Sequence, residues 1–380
     1  MDSKKSDNKR NVVVVGGGFA GTLVARALSS KLDASQYNLI LVNDRPYGIH
    51  LIAGARMVAS DLDQLDSEDK AFIPYSKLFV HGNGSFQEGR VTAIEEAGKG
   101  AGGEIVLSNG ERLAYAALVL ATGSSWSGPL GFPESDRDVR AHIQRWRTQI
   151  ADAKDIYIVG GGSVGIELAG EIKEAYSHKK VTVVHSEGML LNGIYPEKFR
   201  KDIERRARGQ GIEFVFNDKV DTFPAPGAVG LTTRGGKQFS TADLVIPSFG
   251  SRPNTAFVST LGSDVLAADG SVKVKPTLEL QAHAGIFAAG DIVAWDEAKQ
   301  AAKANAHVSV VAANVLSHLA GAPQTKQYKG SFEIIMIPLG KTDGAAYANI
   351  LWGLMFGGWV TRLIKGKSLM VGTVRSDRGL

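Results

Sequence analysis

Two glycine clusters carry the chemistry that this chain announces first. Gly16-Gly17-Gly18-Phe19-Ala20-Gly21 follows the β-branched run Val12-Val13-Val14-Val15 and opens an apolar stretch over residues 22–28. Gly160-Gly161-Gly162-Ser163-Val164-Gly165 follows Ile156-Tyr157-Ile158-Val159 and opens a helical pattern over 166–176, 144 residues later. Each is a GxGxxG between a buried strand and a helix, the context in which this spacing binds a dinucleotide. The first glycine permits the tight turn, the second lets backbone approach a pyrophosphate, and the third lets helix and strand pack closely. The pyrophosphate then meets unpaired N–H groups and the positive end of the helix dipole. A single copy is a common turn. Two copies in one context imply two dinucleotides, a flavin held permanently and a nicotinamide that comes and goes. The cofactor-binding positions are Gly16, Gly18, Phe19, Ala20 and Gly21 in the first copy and Gly160, Gly162, Ser163 and Gly165 in the second.

The strand after each helix should end in a carboxylate for the ribose, about 20 residues past the last glycine. The first unit has Asn43 there, then Asp44, and either residue can do the work. The second has His185, then Ser186, with Glu187 further on. No acid sits at that strand end to repel a 2′-phosphate, so the reading is tolerance of NADPH beside NADH. The alternative is that Glu187 reaches back and selects NADH.

The elements that position these residues alternate as in a parallel α/β protein. A second strand is expected over 38–42 and another over 118–120, running into Ala121-Thr122-Gly123. Pro129, Gly131 and Pro133 read as a linker, followed by a charged helix over 136–153. Further strands are expected at 181–185 and 212–216, with a helix over 197–208 between them. Residues 244–250, ending Phe249-Gly250, repeat the strand-and-turn pattern of 118–123. Residues 286–291 form a strand ending in Gly290-Asp291, before an Ala-rich helix from about 297 to 319. The fold class is α/β, with a discontinuous first domain (10–128 and 245–325), a second (129–244) and a small C-terminal domain (326–380).

Composition narrows the function. The chain has 380 residues, too many for one core, and 44% are hydrophobic. It has no cysteine, which removes a catalytic thiol, a Cys-ligated metal and any electron path through its own disulfide. No metal-ligand set is read from it. The net charge is +4, but residues 326–380 carry eight Lys or Arg against three acids, so the rest of the chain is slightly acidic. A general nucleic-acid surface is not expected, whereas a local anionic contact of the tail is. The N-terminus MDSKKSDNKR has no leader pattern, and Asp2 excludes N-myristoylation.

On these motifs the chain resembles the flavoprotein reductases with two dinucleotide-binding domains, the group of glutathione reductase, ferredoxin reductase, type II NADH dehydrogenases and apoptosis-inducing factor. Within that superfamily it is similar to the apoptosis-inducing-factor-like, mitochondrion-associated group. That likeness is carried by Phe72-Ile73-Pro74-Tyr75-Ser76, GGGSVGIELAGEI from Gly160, the run from Val181 to Ser186, Gly340-Lys341-Thr342-Asp343-Gly344, and His50 and Arg56 after the second strand. The resemblance implies two Rossmann-like domains, FAD in the first and NADH or NADPH in the second. It adds Arg56, Tyr75, Val91, Ala121, Thr122, Gly123, His185, Gly250, Gly290 and Asp291 to the cofactor-binding positions, with Asp291 on the flavin ribityl chain. It places Glu167 against the nicotinamide and flavin rings, where it would orient the carboxamide. Otherwise Glu167 is a carboxylate complementing a helix N-terminus. It also brings the start of the helix that carries Lys303 and His307 near the flavin pyrimidine, where a Lys or a backbone N–H would stabilise reduced flavin. A solvated helix face fits both equally well, and Glu171 reads as solvated.

The activity implied is oxidation of NAD(P)H with reduction of a quinone at a membrane surface. A ferredoxin- or rubredoxin-type reductase and a slowly turning redox-signalling flavoprotein are the rivals. Residues 345–364 hold two Trp and several large apolar residues before Lys365 and Lys367. They read as an interfacial helix on an anionic membrane, or as a helix packed on the flavin domain or in a homodimer interface. The location expected is cytoplasmic, peripheral to a membrane such as the mitochondrial outer surface or a lipid droplet.

Overall fold

The computed structural model describes residues 9–98, 100–225 and 227–380. Most of the N-terminal reading, residues 1–8, lies outside the described residues. The valine run forms the strand Arg10–Val15, whose valines are at most 4% exposed. It is hydrogen-bonded in parallel on both sides, to Tyr37–Asn43 and Ala117–Leu120. Ser85–Glu88 extends the sheet at one edge and Ile286–Ala288 at the other. The helix α1 (Phe19–Ser29) makes the first crossover. After α2 (Gly54–Ala59) and α3 (Asp136–Asp152) the chain builds a second parallel sheet around Asp155–Val159. Lys180–Val184 and Leu244–Pro247 flank that strand, and Ile212–Val215 is the edge. Here α4 (Ser163–Ala175) is the crossover after the second fingerprint, and α5 (Glu197–Gly209) follows. Both sheets are α/β units built from continuous apolar strands, as burial on both faces demands.

The chain passes from the first sheet to the second and returns for Ile286–Ala288. The two crossings are tied together. Ser124–Ser125 pairs antiparallel with Arg252–Pro253. The Thr122 hydroxyl donates to the Asn254 carbonyl at 2.6 Å, and the Asn254 N–H donates to the Gly123 carbonyl at 2.9 Å.

The Ala-rich helix α6 (Ala301–Leu319) begins later than the sequence suggests. Gln300 is extended, and its amide donates to Tyr195 Oη at 3.0 Å and to Glu333 Oε2 at 3.1 Å. That tie holds the preceding residue outside the helix.

The C-terminal region departs further. The single helix expected over 345–364 is instead an antiparallel sheet of Ile334–Leu339, Asp343–Ala348 and Leu354–Phe356. A short helix α7 (Gly358–Thr361), a π-helical turn at Arg362–Gly366 and α8 (Val371–Ser376) complete it. Glycines at positive φ, Gly340 and Gly353, cut the apolar residues into runs of strand length. This sheet sits on α4: a Cβ on Gly170 would fall 2.7 Å from the Leu339 Cα, so only glycine allows the approach.

Candidate active site

The first cradle is built by backbone. Gly16 has φ +107°, and a Cβ there would meet the Ala121 carbonyl at 2.4 Å. A Cβ on Gly21 would lie 1.8 Å from the Gly16 carbonyl. Gly18 has nothing within 4 Å of the same position, which leaves the open side where a pyrophosphate would lie. Gly18 caps α1 without a side-chain bond, and no acid occupies the first turn. The N–H groups of Phe19 and Ala20 are therefore ready for an anion. Between the glycines, the Gly17 N–H donates to Asn43 Oδ1 at 2.8 Å, and the Tyr75 hydroxyl donates to the Gly17 carbonyl at 3.0 Å. Asn43 thus faces the glycine turn through its side chain. Asp44 instead lies 3.6 Å from Arg45, and burial raises its pKa. Val91 is buried in the core and pairs with Leu107 in a separate antiparallel sheet.

The second cradle repeats the first. Gly160 has φ +125°, and a Cβ there would meet the Ser248 carbonyl at 2.2 Å. A Cβ on Gly165 would lie 2.0 Å from the Gly160 carbonyl, while Gly162 is open. The helix α4 starts at Ser163 with no side-chain cap. The Gly161 N–H donates to His185 Nδ1 at 3.1 Å. That bond needs a neutral ring, and burial holds the His185 pKa below its ordinary value. Gly250, at the end of the strand beside Gly160, is exposed. Ser186 and Glu187 are exposed too.

Gly290 and Asp291 face the first helix: a Cβ on Gly290 would lie 2.9 Å from the Ala20 Cβ. The Asp291 carboxylate accepts from Ser124 Oγ at 3.1 Å, and burial raises its pKa. One of its oxygens stays open to a ligand hydroxyl. His307 is buried edge-on against Tyr328, with ring centroids 4.4 Å apart. Its Nδ1 accepts from the Gly290 N–H at 3.0 Å, and its Nε2 lies 3.5 Å from Glu297 Oε1. His307 is therefore a positioning residue for the Gly-Asp turn. Lys303 is 1% exposed and paired with Glu333, with Glu297 at 3.9 Å. The solvated face that was its alternative reading is therefore not what Lys303 occupies. The uncapped N-terminus of α6 keeps the backbone N–H option.

Glu167 is the fifth residue of α4, one turn too far in to cap it. Its carboxylate takes Lys365 Nζ at 2.5 Å, while burial pushes its pKa up against that pull. Glu171 is 3% exposed rather than solvated, because Arg56 binds it in bidentate fashion at 2.7 and 3.0 Å. Arg56 also donates to the Gly366 and Lys367 carbonyls. All its nitrogens are engaged by protein, which corrects its assignment to the cofactor. His50 Nε2 donates to the Leu369 carbonyl at 2.7 Å, and burial brings its pKa down to about 4. These bonds fasten the C-terminal segment to α4 and α2 and to His50. Lys341 pairs with Asp63 at 2.7 Å, and Arg378 is buried against α1. Lys365 and Arg378 were missed as site residues. Their only sequence signal was the basic tail, of which Lys341, Lys365 and Arg378 turn inward while Lys326, Lys329, Arg362 and Lys367 are exposed.

The residues fit two dinucleotides: two cradles that a Cβ would fill, two uncapped helix ends and a half-open carboxylate at Asp291. The family model described as pyridine nucleotide-disulphide oxidoreductase matches residues 10–310. An FAD-dependent oxidoreductase, FVFD30, from Flammulina velutipes is 47% identical over 323 residues, covering 85% of this chain and 99% of the relative. Ferroptosis suppressor protein 1 from Taeniopygia guttata is 30% identical, covering 98% of this chain and 96% of the relative. Among solved structures, the sulfide:quinone oxidoreductase of Aquifex aeolicus superposes with a TM-score of 0.75 at 18% identity, covering 97% of this chain and 92% of that one.

Proposed function

The chain belongs to the pyridine nucleotide-disulphide oxidoreductase family as an FAD-dependent oxidoreductase, and we propose that its electron acceptor is a quinone reached at a membrane surface. The chemistry that FAD and NAD(P)H supply when bound is hydride transfer from nicotinamide C4 to flavin N5, then release of two electrons to an acceptor. A quinone takes those electrons with two protons, one from the hydride and one from water. Gly16 to Gly21 and Asp291 hold the flavin nucleotide, Gly160 to Gly165 the nicotinamide nucleotide. Glu167 orients the carboxamide and keeps Lys365 in place. The protein does not relay through a disulfide, since it has no cysteine.

The observation that carries the quinone reading is the apolar outer face of the segment that delivers Lys365. Trp352 is fully exposed, Trp359 and Leu351 are 75% exposed, and Leu363 is 73% exposed. Arg362 and Lys367 lie beside Trp359 and Leu363 in a cleft that also includes Arg206 and Asp343. Aromatic residues with cationic neighbours suit the interface of an anionic bilayer. No helix among the described residues is long and apolar enough to cross one. On this reading the protein is cytoplasmic and peripheral, and quinone reaches it from the lipid. The same cationic cleft favours one rival, a reductase for a small acidic electron carrier.

Steady-state NADH oxidation separates these. A soluble ubiquinone analogue should support at least about tenfold faster turnover than oxygen. The double variant W352S/W359S should keep that rate yet lose co-sedimentation with vesicles containing phosphatidylserine. Turnover with an acidic iron–sulfur protein but not with the quinone would replace this reading with the rival.

A further inference from the structure

A chain of buried polar groups runs behind the Gly290-Asp291 turn. Gly290 is buried at φ +79°, and its N–H donates to His307 Nδ1 at 3.0 Å. On the far side of the ring, Nε2 lies 3.5 Å from Glu297 Oε1, and among the described residues it has no nearer acceptor. The other oxygen of Glu297 is taken. Tyr328 donates to Oε2 at 2.7 Å, and Lys303 Nζ lies 3.9 Å from it. Tyr328 also packs edge-on against the imidazole, with ring centroids 4.4 Å apart. The side chains of Glu297, Lys303 and His307 are at most 6% exposed, so water does not substitute for any of these partners.

The two neighbours of the ring fix where its proton sits. Nδ1 accepts the Gly290 N–H, so it carries no proton, and the proton is on Nε2, facing the Glu297 carboxylate. The other tautomer would set N–H against N–H at Gly290 and a lone pair against a carboxylate at Glu297. A doubly protonated ring would meet the first of these repulsions. Burial works against the charge on Glu297, but His307, Tyr328 and Lys303 hold its pKa below the ordinary carboxylate value.

We propose that Glu297 is a positioning residue of the flavin site: it holds His307 in the Nε2–H tautomer, and His307 in turn pins the backbone that carries Asp291. Both act through that backbone. A buried N–H left without its acceptor is costly, so loss of the bond would make the Gly290 turn shift to find another. Asp291 would move with it, because among the described residues its carboxylate is held through Ser124 Oγ alone. The inference rests on Asp291 holding FAD and is independent of which acceptor the enzyme uses.

The test uses full-length holoenzyme and two readouts besides turnover. One is the His307 tautomer, from NMR of the imidazole nitrogens in isotopically labelled protein, with the signal assigned by its absence in H307N. The other is FAD dissociation, from recovery of flavin fluorescence on dilution. E297Q keeps the volume and inverts the polarity. Tyr328 and Lys303 are donors and draw the amide oxygen to themselves, which turns the amide N–H groups toward Nε2. His307 should then move its proton to Nδ1, and FAD should leave about 10-fold faster, because the Gly290 N–H has lost its acceptor. In H307N an amide oxygen takes the place of Nδ1 and there is no tautomer to set. H307N should stay within about threefold of wild type, and adding E297Q to it should change FAD release by less than about threefold. An E297Q enzyme that keeps the Nε2–H tautomer overturns the proposal. So does E297Q that speeds FAD release equally with and without H307N, since packing would then be what the site needs. D291N separates the underlying reading. If D291N releases FAD faster and E297Q does not, the proposal falls. If D291N releases FAD at the wild-type rate, Asp291 is not a flavin contact, and the tautomer alone decides the role of Glu297. If E297Q fails to fold and E297Q/H307N folds, the tautomer requirement stands; failure of both overturns it.

Discussion

The two glycine fingerprints have the same backbone and different surroundings. In both, the first glycine sits at positive φ against a neighbouring strand's carbonyl, and the last glycine touches the first. In both, the middle N–H is taken by a neutral acceptor at the end of the next strand, Asn43 or His185. Around the first, Tyr75 clamps Gly17, Arg378 packs on the first turn of α1, and every fingerprint residue but Gly18 and Phe19 is buried. Around the second, Gly160, Gly162, Ser163 and Val164 are all half-exposed and Gly250 is open. Its acceptor is an imidazole that can take up a proton. On the proposed division of labour, one motif would serve a cofactor that stays and a substrate that leaves, and the difference would lie in what later parts of the chain place over the helix end.

The largest effects should come from filling the cradles. Gly21→Ala puts a methyl 1.8 Å from a backbone oxygen, and should yield protein without flavin absorbance or no soluble protein. Gly165→Ala makes the equivalent clash at 2.0 Å in the other unit. It should leave FAD bound and raise the KM for NAD(P)H by at least about 100-fold, a backbone shift worth several kcal/mol. If both variants lost flavin equally, the division of labour between the units would be wrong.

A smaller effect is expected at Glu167. Glu167→Gln removes the charge that holds Lys365, and should slow flavin reduction by NADH about 10- to 100-fold, with FAD content unchanged. Stopped-flow absorbance gives the rate directly. A variant that reduces flavin as fast as wild type would assign Glu167 to tethering the tail alone.

The smallest is a pH effect. His185 must be neutral to accept the Gly161 N–H, and burial keeps its pKa below the ordinary value near 6.5. Affinity for NAD(P)H should therefore be flat at neutral pH and fall, about threefold to tenfold, as acid protonates the ring below that value. His185→Asn copies the first unit and should remove this dependence. Persistence of the same pH profile in that variant would locate the titrating group elsewhere.

The parts of the site that are backbone were legible. Glycine spacing, strand runs and Gly290-Asp291 encode φ angles and close approaches, which are local in sequence. Pairings across long separations were not. Glu171 reads as solvated by its helix position, and only Arg56, 115 residues away, makes it buried. Lys303 needed Glu333, and His307 needed Gly290. The C-terminal region misled for another reason. Its large apolar residues suit a helix face, yet its glycines cut them into strands, and burial against α4 decided the outcome. The basic tail signalled a function for charge without showing that Lys341, Lys365 and Arg378 point inward.

The most direct measurement is an anaerobic spectral titration of the purified enzyme with NADH, followed by a soluble ubiquinone analogue. One equivalent of NADH should bleach one equivalent of bound flavin, and the quinone should rapidly restore the oxidised band. Bound flavin that NADH leaves oxidised would contradict the reductase reading, and bleaching to a long-lived charge-transfer band that quinone does not discharge would contradict the quinone assignment.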